Sequence, residues 1–254
     1  MPRIMSFVVV IPARLASTRL PDKVLREIAG QPMLAHVCRA AAASQARQVV
    51  IATDTPAIAD AARDAGAQAV MTRADHSCGT DRIAEVVVQL GLADDDIVVN
   101  VQADEPLMPP SLIDQVGAAL DRAPWAGMAS AYTPILSAEA FADPNVVKVV
   151  CNASGRALYF SRAPIPFHRD SANIRFEGVA QRHLGIYGYR VSALKRFSRA
   201  APSAIEQHES LEQLRAFDLD IPIAMVEARQ VPGPGVDTEA DLQAVARIIK
   251  EQSQ

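Results

Sequence analysis

Aromatic residues make up only 5% of the 254-residue chain, so its core must be built from aliphatic side chains. Cysteine is as sparse: Cys38, Cys78 and Cys151 are odd in number and far apart. That spacing excludes a disulfide framework and metal-ligand pairs, and a reducing cytoplasmic setting is expected. No apolar run approaches the ~20 residues of a membrane span, so no membrane association is expected. The N-terminal MPRIMSFVVVIPAR has too short an apolar run for a signal peptide and no small-residue cleavage site, and it reads as a buried first strand. Positive charge is not in excess. A net charge of −4, with basic residues spread out, removes the electrostatic case for nucleic acid, so any anion site must be local. Walker A and G-x-G-x-x-G motifs are missing too, which disfavours a dinucleotide-dependent dehydrogenase.

What is present is an ordinary globular composition, 50% hydrophobic and 21% charged. Residues 7–11 form a β-branched run of the kind buried on both faces of a parallel sheet. Strand patterns at 48–53, 67–72 and 97–102 then alternate with helix patterns at 33–43, 56–65, 80–90 and 110–120. Pro32 opens the first helix and Gly66 ends the second. This rhythm predicts an α/β fold with a doubly wound, mostly parallel, Rossmann-like sheet. Short strands at 129–134, 146–151, 157–161 and 184–190 follow, around a polar loop at 163–182. The segment 129–190 is therefore expected to be a smaller β-rich extension, a lid or subunit contact, within one domain spanning 1–254. Helices are expected again at 208–217 and 238–251.

Three constellations carry chemistry. The first is the loop from Pro12 to Lys23, directly after strand one, where ligands of open α/β sheets bind. Its backbone N–H groups and the charges of Arg14, Arg19 and Lys23 suit a triphosphate, although a solvated basic loop has the same composition. The second is NVQADEP, residues 100–106, at the end of the fourth strand. Asp104 suits Mg²⁺, which takes one or two carboxylates plus substrate phosphates, and it also suits a plain turn. The third is Gly235-Val236-Asp237-Thr238, before the last helix. Asp237 or Thr238 can serve as N-cap, and Asp237 matters chemically only if it meets Asp104 in space.

Taken together, these segments resemble the 3-deoxy-manno-octulosonate (Kdo) cytidylyltransferases, the CMP-Kdo synthetases. The likeness spans nearly the whole chain. It includes VVIPARxxSTRLPxK, Met71–His76 with Gly79–Arg82, NVQADEP, Asn145–Val150, Ala157–Arg162, RHLGIYGYR at 182–190, LEQLR at 211–215 and VPGPGVDT. The opening loop is common to many nucleotidyltransferases, whereas RHLGIYGYR and LEQLR are more specific. The resemblance implies a nucleotidyltransferase sheet, CTP and Kdo as substrates, Mg²⁺ as cofactor, and a homodimer working in lipopolysaccharide biosynthesis. It implies that Ala13, Arg14, Lys23, Arg73, Gly79, Thr80 and Arg82 bind CTP. Asp104 and Asp237 would hold the metal and, with Arg14 and Lys23, form the catalytic group. Gln102, Arg162, His183, Tyr187, Glu212 and Gln213 would line the sugar-acid pocket.

Three positions depart from the family pattern: Asp22 and Ala103 replace glycines, and Cys78 replaces a serine. Asp22 brings negative charge near phosphates, Ala103 gives up a φ > 0 option, and Cys78 suggests thiol sensitivity in the nucleotide site. Cytidylyltransferases for amino-Kdo or sialate share the first loop, so the pocket around Arg162, His183 and Tyr187 has to discriminate. A non-catalytic nucleotide- or sugar-binding module is the rival from another class. Charged elements at three separate strand ends argue against it.

Overall fold

The computed structural model describes residues 6–16, 19–169, 176 and 178–252. Its strands are β1 (Phe7–Ala13), β2 (Glu27–Ile28), β3 (Gln31–Pro32), β4 (Gln48–Thr53), β5 (Gln68–Met71), β6 (Ile97–Asn100), β7 (Met128–Pro134), β8 (Lys148–Cys151), β9 (Ala157–Ser161), β10 (Gln181–Arg190) and β11 (Ile223–Glu227). The helices are α1 (Met33–Ala42), α2 (Pro56–Asp64), α3 (Gly79–Gln89), α4 (Pro110–Arg122), α5 (Ala138–Ala142), α6 (Val191–Arg199), α7 (Ala204–Glu209), α8 (Arg215–Asp218) and α9 (Glu239–Gln252).

The main sheet has the order β11-β7-β10-β6-β1-β4-β5. Pairing is parallel throughout except around β10, which runs antiparallel to both β6 and β7. Strand β1 explains the two-layer core. Phe7, Val9 and Ile11 point to one face, with residues of α1, α2 and α4. Val8 and Val10 point to the other, with residues of α3 and α6. Both sets are fully buried, as an aliphatic run in a parallel sheet requires. Helix α4 comes so close that a Cβ on Gly117 would lie 2.8 Å from the Phe7 ring.

The chain moves from β1 to β4 on one side and later returns to β6 on the other side of β1. The strand order therefore reverses at β1, which leaves a crevice between the carboxyl ends of β1 and β6.

The second half differs in detail from the sequence expectation. Strands β7 and β10 belong to the main sheet, and only the β8–β9 hairpin branches from it, through β10. The expected helix 208–217 is split. Helix α7 begins earlier, under a Ser203/Glu206 capping box, and stops at Ser210 in the left-handed region at φ 52°. A 3-10 turn, Glu212–Leu214, then leads into α8. Residues 17 and 18 of the first loop, and 170–175 and 177 of the 163–182 loop, lie outside the described residues.

Candidate active site

The crevice between β1 and β6 is a cleft of about 660 Å³. Pro12, Ala13, Arg14, Arg19 and Lys23 form one wall, and Gln102, Ala103 and Asp104 form another. Cys78, Gly79 and Arg82 come from the start of α3, and Asp237 comes from the segment before α9. Four distant stretches of sequence therefore meet at one opening.

Lys23 is the hub. It opens a 3-10 turn, and its side chain is only 13% exposed. Its Nζ donates to Asp104 Oδ2 at 2.8 Å and to Asp237 Oδ1 at 3.2 Å. Burial pulls the ammonium pKa down, but hydrogen bonds and charge from Asp104 and then Asp237 outweigh it and hold the pKa above 10.5. Arg19 adds a second, more exposed contact to Asp237 at 3.0 Å.

The fold brings the two acidic segments together through the main chain: Val236 N donates to the Asp104 carbonyl at 2.9 Å. Thr238, not Asp237, caps α9. Its Oγ1 accepts from Asp241 N, and the Asp241 carboxylate accepts from Thr238 N. The Asp237 carboxylate is thus left to face the cleft. Gly235 permits this packing, since a Cβ there would lie 3.0 Å from Glu105 Oε1. The Glu105 carboxyl is pushed up to about 7, chiefly by burial and then by Asp104 and Asp237. The sequence expectation singled out Asp104 in NVQADEP and assigned no role to Glu105, whose burial only the fold reveals.

Among the residues expected to bind nucleotide, Ala13, Arg14, Lys23, Gly79 and Arg82 line the cleft. Gly79 abuts Pro12, where a Cβ would be 3.1 Å from the Pro12 ring. Arg82 does not offer a free charge, because it is bound to Asp54 at 2.7 Å and to Thr72 Oγ1. It ties the ends of β4 and β5 to α3. Thr80 is buried, and its hydroxyl donates to Glu212 Oε2 at 2.9 Å. Arg73 pairs with Asp75 and faces a neighbouring groove of about 570 Å³. His76 borders both openings and is held by Glu85, which also accepts from Arg73 N.

The expected sugar-acid residues divide similarly. Gln102 lines the cleft, whereas Arg162 directly follows β9, His183 and Tyr187 lie on β10, and Glu212 and Gln213 lie in the 3-10 turn. Arg162 donates to the carbonyls of Glu209, Pro144 and Ser210, and the Glu209 carboxylate takes its backbone N–H. Burial pushes the His183 ring down to about 3, so it is neutral. Ser130 Oγ lies 2.8 Å from the Ile186 carbonyl and 2.9 Å from His183 Nε2. With the one hydroxyl proton given to that carbonyl, His183 Nε2–H donates and Nδ1 is an acceptor. Burial also raises the Tyr187 phenol, with Glu212 adding to the effect.

The three departures have structural explanations. Asp22 sits at φ 53°, ψ 26°, the left-handed region that favours glycine. The family's glycine there answers a backbone requirement, which Asp meets better than most L-residues. Ala103 is buried and is not among the residues with positive φ, so its methyl conflicts with nothing in the turn. The Cys78 thiol is pushed up to about 12, first by burial and then by Glu212. That favours the neutral thiol over the nucleophilic thiolate.

Comparison with known proteins agrees with this geometry. The family described as cytidylyltransferase matches residues 8–222. A 3-deoxy-manno-octulosonate cytidylyltransferase of Cellvibrio japonicus (strain Ueda107) is 54% identical, over 97% of this chain and 99% of its own. Its counterpart from Thioalkalivibrio sulfidiphilus (strain HL-EbGR7) is 51% identical, over 97% and 100%. A CMP:2-keto-3-deoxy-manno-octonic acid synthetase solved in complex with CTP superposes with a TM-score of 0.88 at 40% identity, covering 97% of this chain and 99% of that one. A Leptospira borgpetersenii cytidylyltransferase shares the fold, with a TM-score of 0.62 at 15% identity over 98% and 88%. The chain belongs to the cytidylyltransferase family and, within it, to the 3-deoxy-manno-octulosonate cytidylyltransferases.

Proposed function

We propose that this enzyme transfers the cytidylyl group of CTP to Kdo, giving CMP-Kdo and pyrophosphate, for lipopolysaccharide biosynthesis in the cytoplasm. The observation that carries this reading is the convergence of Asp104 and Asp237 on Lys23 at the mouth of the β1/β6 crevice.

The donor set fits Mg²⁺. Two hard carboxylates reach one point, and among the described residues no cluster of three or more His, Cys, Asp or Glu side chains encloses a metal by itself. Asp104 and Asp237 would hold the ion, leaving its other positions to water and substrate phosphates. Bound there, Mg²⁺ supplies neutralisation of phosphate charge and acidifies the attacking hydroxyl.

The chain's own groups do the rest. Arg14 and Lys23 bind the triphosphate and stabilise charge on the departing pyrophosphate. Ala13 and Gly79 keep the walls close to the nucleotide. Arg73, Thr80 and Arg82 shape the cytidine side. The Arg162 guanidinium, held by the carbonyls of Glu209, Pro144 and Ser210, would meet the sugar carboxylate through its remaining N–H groups. Gln102, His183, Tyr187, Glu212 and Gln213 orient the sugar hydroxyls. The 2-hydroxyl oxygen attacks the α-phosphorus in line, the bond to the bridging oxygen breaks, and the hydroxyl proton passes to solvent. Positioning supplies most of the acceleration in such transfers.

A homodimer belongs to the same reading. Leu136, Leu158, Phe167 and Val179 are exposed apolar side chains within 129–190, the segment we assign to acceptor binding, closure and subunit contact. Sedimentation tests the dimer. Product analysis with CTP, Mg²⁺ and Kdo, beside amino-Kdo and sialate, tests the reaction. Faster turnover of another acid reassigns the acceptor. CTP binding without pyrophosphate release from any of them refutes catalysis.

A further inference from the structure

Strand β6 ends in Asn100, a residue without an evident task. Its side chain is 2% exposed, and its Oδ1 has no hydrogen-bond partner. A buried carbonyl oxygen left unpaired is costly, so its presence in a native fold calls for a reason. Lys23 and Asp104 do not supply that reason, because they belong to the cleft wall beyond the strand end.

The sheet register shows what surrounds it. Asn100 stands opposite Val10 on one side and opposite Tyr187 on the other, and Tyr187 in turn stands opposite Ser130. Directly paired residues put their side chains on the same face, about 5 Å apart at Cβ. That face is the one packed by α3 and α6, where Val10 and Val98 are core. This row of polar groups continues through Ser130 to His183.

In the adjoining turn two more buried polar atoms have no hydrogen-bond partner, Gln213 Nε2 and Glu212 Oε1, the latter meeting the Arg215 guanidinium at 3.8 Å. The unmet groups are thus two acceptors, on Asn100 and Glu212, and one donor, on Gln213. Hydroxyl groups satisfy such a set, because each donates one hydrogen bond and accepts others. A carboxylate, which only accepts, does not satisfy Asn100.

We infer that Asn100 is a specificity-determining residue of the acceptor site, its Oδ1 accepting a hydrogen bond from a sugar hydroxyl. The inference rests on the functional reading above and deepens it. A site built to hydrogen-bond a hydroxyl discriminates strongly against an analogue lacking it, because its own polar group is then left unpaired.

The test is steady-state kinetics on wild type and Asn100→Leu, with thermal unfolding of each. Asn100→Leu is expected to raise the acceptor KM about tenfold and leave the CTP KM within roughly twofold. Its thermal midpoint should hold or rise, because an unpaired buried oxygen is removed. A purely structural role would instead lower the midpoint and disturb both KM values. Single-deoxy acceptors give the sharper readout: one position should be penalised in wild type and no longer penalised in Asn100→Leu. If Asn100→Leu does not fold, Asn100→Ser is measured against the same criteria. Wild-type turnover with an unchanged acceptor KM in the variant overturns this inference alone. No wild-type turnover of Kdo overturns the functional reading and this inference with it.

Discussion

Arg215 closes the LEQLR segment, and replacing it tests whether that segment is a scaffold for the acceptor turn. The guanidinium is buried. Nε donates to Glu206 Oε2 at 2.8 Å, Nη2 donates to Glu206 Oε1 at 2.5 Å, and the group lies 4.7 Å from the centre of the Phe197 ring. Glu206 also accepts from Ser203 N, so one carboxylate serves both the α7 cap and the ion pair. Arg215→Met strands that carboxylate. Breaking a buried pair from one side costs about 3–5 kcal/mol. At roughly 2–4 °C per kcal/mol for a chain of this size, the thermal midpoint should fall by roughly 6–20 °C. Adding Glu206→Gln removes the stranded charge and should restore part of the loss, giving a coupling energy of at least about 2 kcal/mol in the double-mutant cycle. Urea unfolding of the four proteins measures this. The 3-10 turn with Glu212 and Gln213 adjoins Arg215, so the acceptor KM should rise while the CTP KM stays. A loss below about 1 kcal/mol, the range of an exposed pair, would refute the scaffold argument.

Asp104→Asn and Asp237→Asn should each lose at least about 100-fold in Mg²⁺-dependent pyrophosphate release while keeping their circular dichroism, and wild-type turnover in either removes that residue from the metal site. Asp22→Gly should leave CTP binding intact and change stability by about 1 kcal/mol in the favourable direction, because the strain at φ 53° is relieved; a clear destabilisation would mean that the Asp22 carboxylate has a structural role. Burial pushes the Asp54 carboxyl up, but hydrogen bonds from Arg82 and Thr55 and the charge of Arg82 pull it below 3.8. A depressed carboxylate contributes stability above its unfolded pKa and loses it as pH falls through the folded one. The deficit of Arg82→Met relative to wild type should therefore be largest near neutral pH and shrink below about pH 4, and a pH-independent deficit in urea titrations would contradict the assignment.

The parallel half of the fold was legible because its strands are aliphatic on both faces and its helices carry ordinary start and stop residues. The Asp104 and Asp237 carboxylates could be proposed from sequence, but their meeting depends on a bond from Val236 N to the Asp104 carbonyl, which no local pattern announces. The split of the expected 208–217 helix was hidden for a similar reason. Ser210 takes the left-handed conformation without a glycine to mark it, and the Ser203/Glu206 capping box that starts α7 was overlooked upstream. The resemblance puts Arg73 and Arg82 beside the nucleotide, yet their charges are met by Asp75 and Asp54. A basic residue in a motif declares a charge but not the partner that three-dimensional packing gives it.

The electrostatics of the cleft point to the order of events. Arg14, Arg19 and Lys23 favour a triphosphate, but Lys23 is spent on two carboxylates and Arg19 on one of them. Burial, and then the neighbouring Asp104 and Asp237, push the Glu105 carboxyl behind them up to about 7. A polyanion entering this opening meets acidic groups whose neutralising cations are already engaged. Asp104 and Asp237 would hold a divalent ion there, which would neutralise both carboxylates and leave Lys23 available to phosphate. Nucleotide and metal should therefore bind with strong mutual dependence. Calorimetric titration of CTP should show weak binding without Mg²⁺ and at least about tenfold tighter binding with it, and equal affinity in both would mean that the acidic pair is not the metal site.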